Sequence, residues 1–251
     1  MDFGATGSQY LWWAYQGNHD FAEDPEGPRK QLRLVANIQD PYYFIIAVKA
    51  DSGITDLSQI IEKRLPVQIL ASTGIDGPPT TEVLNYFGLT KEKLEPFGAS
   101  LRTTASAENR KNLDVIIGWG ALNGTPEFNM WYEVSQKYDL KYLELPKELR
   151  EKMTKQEDVL EERDIPVGLL RGMDHPVPTV ARTGTAIYGR ADMPDDFAYT
   201  LAKAMDEHQD LLQWANSNMH FSYNWHTIWK DLGVPLHPGA ARYYKERGYM
   251  K

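Results

Sequence analysis

The sequence predicts an α/β protein with doubly wound sheets, and three observations support this class. Short strand-like runs alternate with helical segments along most of the chain, a pattern typical of strands joined by crossover helices. Glycine-rich loops follow several of the buried strand-like runs, where the helices of such sheets begin. The 251 residues, 42% of them hydrophobic, are enough for one large domain or for two lobes of about 120 residues each.

Each element is predicted from a local pattern. Strands are expected at short apolar runs bounded by turn residues, and helices at longer segments that begin after a capping residue or a proline. Gly17-Asn18 ends the first helix and Gly88 ends the third, because these residues accept the left-handed conformation of a helix C-terminus. The predicted strands are residues 1–6, 32–38, 43–49, 67–71, 114–118, 141–145 and 179–188. The predicted helices are residues 9–16, 56–63, 80–87, 105–112, 127–138, 147–164, 195–208 and 211–217.

Composition excludes several functions. Lys and Arg number 27 against 35 Asp and Glu, a net charge of −8, whereas nucleic-acid binding needs clustered positive charge. The chain has no cysteine, which excludes a disulfide scaffold, cysteine-ligated zinc, iron–sulfur clusters and thiol catalysis. No apolar run approaches the roughly 18 residues of a membrane span.

Three loops that follow predicted strands are candidates for a ligand site, because ligands of open α/β sheets bind beyond the carboxyl ends of the strands. The loops are residues 6–9, 72–82 and 119–126. The loop from Ser72 to Glu82 has the strongest signal, since its glycines allow close backbone approach and its helix start suits a carboxylate or phosphate; the alternative is a plain strand-to-helix turn. The candidate ligand-binding residues are Thr6, Ser8, Gln9, Tyr42, Thr73, Gly74, Asp76, Thr80, Thr81, Trp119 and Asn123.

Catalytic and metal-binding patterns are weak. The six histidines are scattered, none lies in the three loops, and neither an HExxH nor a Gly-x-Ser-x-Gly motif occurs, so the spacing that zinc sites or serine nucleophiles require is missing. We therefore expect no catalytic residue, no metal and no cofactor.

Several segments share the sequence pattern of one receptor family. The most specific is the C-terminal run Leu236–Gly248, with the sequence LHPGAARYYKERG. The other matching segments are residues 2–15, 48–57, 124–126, 177–181 and 193–199. Together they resemble the TAXI-type solute receptors of tripartite TRAP transporters, and matches of this kind run along most of the chain.

This resemblance implies a two-lobe, type II periplasmic-binding-protein fold. Lobe one would comprise residues 1–54 and 185–251, lobe two residues 55–184, with crossings near residues 50–55 and 178–188. The family normally has a first strand, a Gly-rich loop and a long helix before the segment that starts at Asp2. We therefore expect lobe one to lack its N-terminal elements and Met1 not to be the natural start. We also expect a periplasmic protein, although this chain shows no signal peptide.

The resemblance also implies a function. The protein would capture a small organic anion or amino-acid-like solute between its lobes, without catalysis, and deliver it to TRAP membrane subunits. The matching loop of the family often favours anions. Here it carries an acid, Asp76, and this acid favours a ligand that bears an amine. Two alternatives stay open: an enzyme resembling the pyrimidine-precursor synthases of thiamine biosynthesis, which need a histidine and a cofactor in the cleft, and a truncated interaction domain that has lost its pocket.

Overall fold

The structure is a computed structural model that describes residues 3–38, 42–71, 79–103, 108, 110–121, 130–157, 159–182, 184–211, 223–230 and 232–250. The strands are β1 (Phe3–Gly7), β2 (Leu32–Ile38), β3 (Tyr42–Lys49), β4 (Gln68–Ala71), β5 (Ser100–Arg102), β6 (Val115–Ala121), β7 (Leu140–Leu143), β8 (Leu160–Ile165), β9 (Val177–Arg182) and β10 (Thr185–Arg190). The helices are α1 (Ser8–Gln16), α2 (Ser58–Glu62), α3 (Thr80–Tyr86), α4 (Lys91–Leu94), α5 (Met130–Lys137), α6 (Lys147–Gln156), α7 (Asp195–Glu207) and α8 (Pro238–Glu246), with short 3-10 helices at His19–Phe21 and Glu95–Phe97.

The strands form two sheets. The smaller sheet has the order β1-β10-β2, and the larger has the order β5-β4-β6-β3-β9-β8, with β7 also paired to β3. Strand β4 is parallel to β5 and β6, and the other pairs are antiparallel. The α/β class is confirmed, but the larger sheet is mixed and the smaller one is antiparallel, rather than both being parallel. Parallel neighbours in a sheet need a crossover connection, which is usually a helix. Strands β8 and β9, for example, are joined without a helix and therefore pair antiparallel.

Strand β3 belongs to the larger sheet. It pairs with β6 on one side and with β7 and β9 on the other. The chain therefore passes from the smaller sheet to the larger one between β2 and β3 and returns between β9 and β10. The division into lobes at residues 54 and 185, with crossings near residues 50–55 and 178–188, stays a prediction.

Two predicted segments are each divided in the structure. Residues 147–164 were expected to be helical, as a solvated helix or hairpin, but α6 ends at Gln156 and the chain continues as β8. The charged side chains of β8 lie on an edge strand, where charge is commonly found because it discourages further strand pairing. The expected long strand at residues 179–188 is two strands in different sheets. Gly184 lies between them at φ +140°, and a Cβ there would overlap the carbonyl oxygen of Ile38.

Helices cover both faces of the smaller sheet. Helix α1 packs Leu11 and Trp13 against one face, and α7 and α8 pack Ala198 and Tyr244 against the other. In the larger sheet, β3 is buried on both faces, since Ile46 belongs to one core cluster and its neighbours in sequence to a second. This packing fixes the start of α1 at the junction where the chain changes sheets.

The C-terminal motif that carries the resemblance is a packing element. His237 is fully buried, and its Nδ1 accepts the backbone N–H of Gly239 at 3.2 Å, which caps α8. Gly239 lies against the backbone of Asp195 at the start of α7, where a Cβ would overlap the carbonyl oxygen. The hydroxyl of Tyr244 donates to the carbonyl of Val35 in β2 at 3.1 Å. The motif therefore attaches α8 to both α7 and the smaller sheet.

Candidate functional site

The junction of the two sheets brings three strand ends together. Gly7 ends β1 and precedes α1, and the backbone N–H of Ser8 donates to the carbonyl of Gly184 at 2.8 Å. Tyr42, at the start of β3, is in register with Arg182 at the end of β9. The start of α1 therefore lies beside the ends of two strands from the larger sheet.

Arg182 is the central cation of this junction. Its guanidinium carbon lies 3.7 Å from the centroid of the Tyr42 ring, a cation–π distance. A Cβ on Gly7 would lie 2.6 Å from Nη1 of Arg182, so the guanidinium rests against the backbone at the start of α1. The helix dipole is positive at this end. The guanidinium and the helix start together create a local field that favours an anion.

Aromatic side chains form a wall next to the guanidinium. The rings of Tyr42 and Trp119 have centroids 6.5 Å apart, and Trp119 meets Phe44 edge-to-face at 5.6 Å. The indole N–H of Trp131 donates to the carbonyl of Trp119 at 2.9 Å and holds β6 in place. The wall supplies the apolar surface that small-molecule sites combine with a few polar groups.

A cavity of about 380 Å³ lies between α3, α6 and the 3-10 helix after α1. Its described lining residues are His19, Pro79, Thr81, Glu82, Met153, Gln156, Glu157 and Leu160. Two of them are carboxylates, and none is a lysine or an arginine. The volume lies within the range of about 300–1,000 Å³ that is usual for small-molecule sites.

Glu157 is the buried acid of this cavity, with a side chain that is 6% exposed. Its Oε2 accepts a hydrogen bond from Nε2 of Gln9 at 3.0 Å, and its Oε1 lies 3.4 Å from Nε2 of His19. Burial raises the pKa of Glu157, and the Gln9 hydrogen bond and the charge of His19 oppose that rise. Glu157 also follows the last residue of α6, where the helix dipole is negative and disfavours a carboxylate.

His19 reaches this cavity through a strained backbone. Its φ of 49° lies in the left-handed region, which costs about 1–3 kcal/mol for a residue other than glycine. The imidazole packs against the Trp13 ring at a centroid distance of 4.7 Å. On the opposite wall, Glu82 forms an ion pair with Lys152 at 2.5 Å. Strain of this kind is frequent at functional sites.

One family model matches almost the whole chain. The model described as the NMT1-like family matches residues 1–248. The chain belongs to the NMT1-like family. This is coarser than the TAXI-type membership that the sequence predicts, and the finer assignment stays a prediction.

Solved structures that resemble this NMT1-like protein do so at low identity. One is described as a periplasmic transporter, with 13% identity, coverage of 98% of this chain and 73% of that chain, and a TM-score of 0.47. Another is the periplasmic aliphatic sulphonate binding protein SsuA from Escherichia coli, at 13% identity, 98% and 62% coverage, and a TM-score of 0.41. A third is lactococcal OpuAC complexed with glycine betaine, at 12% identity, 98% and 77% coverage, and a TM-score of 0.37. TM-scores below 0.5 carry no information on which ligand this chain binds.

The structure brings together only some of the predicted site residues. Tyr42 and Trp119 form the aromatic wall, and Gln9 and Thr81 lie at the Glu157 cavity. Ser8 and Thr80 are fully buried, and Thr6 lines a separate cavity whose walls include residues of β1, α1 and β10. Thr73, Gly74, Asp76 and Asn123 lie outside the described residues. The role of each in ligand binding stays a prediction.

Sequence reasoning missed Arg182, Glu157 and His19. Arg182 had a usable signal, since it is the charged residue that follows the apolar run of β9 at a predicted crossing. Glu157 had none, because it lies in a segment of many charges that was interpreted as a solvated helix. His19 lies outside the three predicted loops and reaches the cavity only because the chain turns back after α1.

Within the described ranges, two searches gave negative results. No described helix combines the length and the apolar character needed to cross a membrane. The described histidine, aspartate and glutamate side chains include no cluster of three or more that is placed to hold a metal ion.

Proposed function

We propose that this protein is a periplasmic solute-binding protein that captures a small organic anion or amino-acid-like solute at the junction between its two sheets. The observation that carries the proposal is the placement of Arg182. Its guanidinium lies between the Tyr42 ring and the backbone of Gly7 at the start of α1.

The chemistry of this placement suits a carboxylate or sulfonate. A guanidinium presents a planar set of donors that matches two oxygens of such a group, and the start of α1 adds a favourable dipole. The Tyr42–Trp119 wall can cover the apolar part of the solute. Because these groups come from both sheets, a bound solute would contact both and would stabilise one arrangement of the sheets over others.

Calorimetry with short carboxylates and alkanesulfonates tests the proposal. We expect the wild-type chain to bind at least one member of the series, and Arg182→Gln to weaken that binding about 10- to 100-fold, which corresponds to the loss of a charged hydrogen bond. Arg190→Gln is the matched control, because Arg190 is more than half exposed and pairs with Asp192 on the surface. Equal affinity of wild type and Arg182→Gln for every anion that binds would contradict the proposal.

Delivery to TRAP membrane subunits is the finer part of the proposal. It is supported by the sequence resemblance to TAXI-type receptors, whose most specific segment is Leu236–Gly248. Neighbouring genes that encode TRAP membrane subunits would support it. Neighbouring genes for an ATP-driven permease would instead assign the protein to a different transporter class.

One observation favours an enzyme as the second candidate. His19 and Glu157 form an acid–base pair inside a cavity, and such pairs serve proton transfer in catalysis. A synthase resembling those of pyrimidine-precursor formation would use a histidine in this way. We expect no covalent change in a candidate cofactor or solute after prolonged incubation with the protein. A new product in the mass spectrum that His19→Gln abolishes would reverse the order of the two candidates.

A further inference from the structure

We propose that the Glu157 cavity receives the ammonium group of the solute, so that the ligand is an amino carboxylate whose carboxylate pairs with Arg182. The inference rests on the proposed function and narrows it from organic anions in general to zwitterions. Four properties of the described residues support it.

The first property is the sign of the field in the cavity. Glu82 and Glu157 are its two acidic lining residues in the described part of the chain, and Glu82 is paired with Lys152. The cavity lies at the C-terminus of the ten-residue helix α6, which attracts cations, since Gln156 and Glu157 both line it. The start of the seven-residue helix α3 also lines it and offsets part of this field. A carboxylate at the C-terminus of a helix raises the free energy of the empty site. An ammonium group bound beside the carboxylate would lower that free energy.

The second property is the set of partners around Glu157. Gln9 donates through a neutral amide, and His19 is an imidazole, which carries a positive charge only when it is protonated. Neither is a permanently charged group, such as a lysine or an arginine, with which a buried carboxylate is ordinarily paired. Burial raises the pKa of Glu157, and these partners only oppose that rise; an ammonium ligand would oppose it further.

The third property is the distance along the chain between the two halves of the site. Gly7 contacts Arg182, and Gln9, two residues later on the first turn of α1, binds Glu157. Arg182 is also in register with Leu160 of β8, which lines the cavity. Less than one helical turn therefore separates Gly7, which contacts Arg182, from Gln9, which binds Glu157.

The fourth property is size. A cavity of about 380 Å³ is near the lower end of the range for small-molecule sites. It accommodates the ammonium end of a small solute but not a large cofactor. The residues around it that titrate are His19, Glu82 and Lys152, and the last two already form an ion pair with each other.

Calorimetry with two matched series of probes tests the inference. One series contains ω-amino carboxylates from glycine to 6-aminohexanoate, and the other contains the unsubstituted carboxylates of the same length. We expect one amino carboxylate to bind wild type about tenfold or more tightly than its unsubstituted partner, and Glu157→Gln to abolish that preference. Glu148→Gln is the control, because it removes one exposed carboxylate from the same helix.

Proton release gives a second readout that does not depend on absolute affinity. Binding of the ammonium group to the protonated form of Glu157 should ionise this side chain and release a proton, in addition to any proton that the carboxyl group of the solute releases when it pairs with Arg182. Calorimetry at pH 4.5 detects both as a dependence of the heat on the buffer, and the comparison with Glu157→Gln separates them. This dependence should be smaller with Glu157→Gln. Retained binding of the unsubstituted carboxylate would show that the variant is folded.

The outcomes separate the inference from the proposed function. If carboxylates bind and require Arg182, but the amino carboxylates show no advantage or Glu157→Gln leaves the advantage intact, the inference is wrong and the proposed function stands. If no member of either series binds wild type, the inference is wrong, and if no alkanesulfonate binds either, the proposed function is overturned as well.

Discussion

Two buried carboxylates lie in different parts of this protein and have very different surroundings. Asp206 on α7 is 2% exposed and accepts hydrogen bonds from the hydroxyl of Tyr243 at 2.5 Å, from Nε of Arg247 at 3.1 Å and from the hydroxyl of Tyr249 at 3.1 Å. Glu157, 6% exposed, has the amide of Gln9 and the imidazole of His19.

The difference distinguishes a structural acid, Asp206, from the proposed binding-site acid, Glu157. Asp206 has a guanidinium and two hydroxyls from the C-terminal segment, so its charge is compensated and the segment is fixed to α7. Glu157 is buried with weaker compensation, next to a cavity and at the wrong end of a helix dipole. Buried acids with a perturbed pKa beside a cavity are frequent at functional sites. The predictions below test this contrast, from the largest expected effect on stability to the smallest.

Gly239→Ala should have the largest effect. Its Cβ would overlap the backbone carbonyl of Asp195, and backbone cannot move aside without separating α7 from α8, so we expect a loss of about 3 kcal/mol of unfolding free energy. Urea denaturation measures it. Gly248→Ala is the control, because its φ is 74° but its Cβ would meet no atom within 4 Å, and it should cost only about 1 kcal/mol. Equal losses in the two variants would show that the α7–α8 contact has room for a side chain.

Asp206→Asn should have the next largest effect. The amide keeps the shape of the side chain but removes the charge that Arg247 compensates and places N–H donors against the hydroxyl of Tyr243. We expect a loss of about 2 kcal/mol, visible as a fall in the melting temperature of about 4–8 °C. A melting temperature unchanged from wild type would mean that this acid does not fix the C-terminal segment.

Gly7→Ala should change stability little and ligand binding substantially. The new Cβ would meet the far end of the flexible Arg182 side chain at 2.6 Å, so the side chain can move and we expect a loss below about 1 kcal/mol. The guanidinium would then leave the start of α1. Calorimetry should show weaker binding of carboxylates than in wild type, and unchanged affinity would place the anion elsewhere.

Glu157→Gln should have the smallest effect on stability, with a characteristic pH dependence. Burial raises the pKa of Glu157 above its ordinary value of 4.5, so the folded state binds a proton more readily than the unfolded state. Wild-type stability from this group is therefore present below pH 4.5 and is lost as pH rises through the folded pKa. We expect Glu157→Gln to gain stability relative to wild type as pH rises from about 4 to 7.

Denaturation by urea at several pH values measures this gain. The total change should stay within about 1 kcal/mol. Glu148→Gln should follow the wild-type curve, because Glu148 is exposed. Parallel curves for Glu157→Gln and wild type would show that the buried acid is as well compensated as Asp206.

Much of the local structure was predictable from the sequence. The runs at Leu32–Ile38 and Tyr42–Lys49 alternate with turn signals, and the helix at Ser8–Gln16 ends at a glycine in the left-handed conformation. Such elements follow from short-range periodicity and capping. Tyr42 and Trp119 were both candidate ligand-binding residues, and their rings lie 6.5 Å apart; their role in binding stays a prediction.

The parts that were missed depend on contacts between distant segments. Arg182 contacts Gly7, which lies 175 positions away in the sequence, because the chain passes from the larger sheet to the smaller one at Gly184. Gln9 and Glu157 lie 148 positions apart. Neither pair has a spacing that periodicity can detect, and the antiparallel entry of β3 into the larger sheet is set by pairing with strands that come later in the chain.

The sequence by itself determined the α/β class, most of the helices and strands, and the family-like pattern along the chain, because propensity, capping and hydrophobic period act over a few residues. Only the tertiary structure decided which strands pair, where the chain changes sheets and which charged side chains become buried together. Burial converts an ordinary glutamate such as Glu157 into an acid that lacks full compensation, and a crossing strand turns Arg182 into an anion-binding candidate. Both properties arise from the electrostatics of the folded environment, which no local pattern encodes.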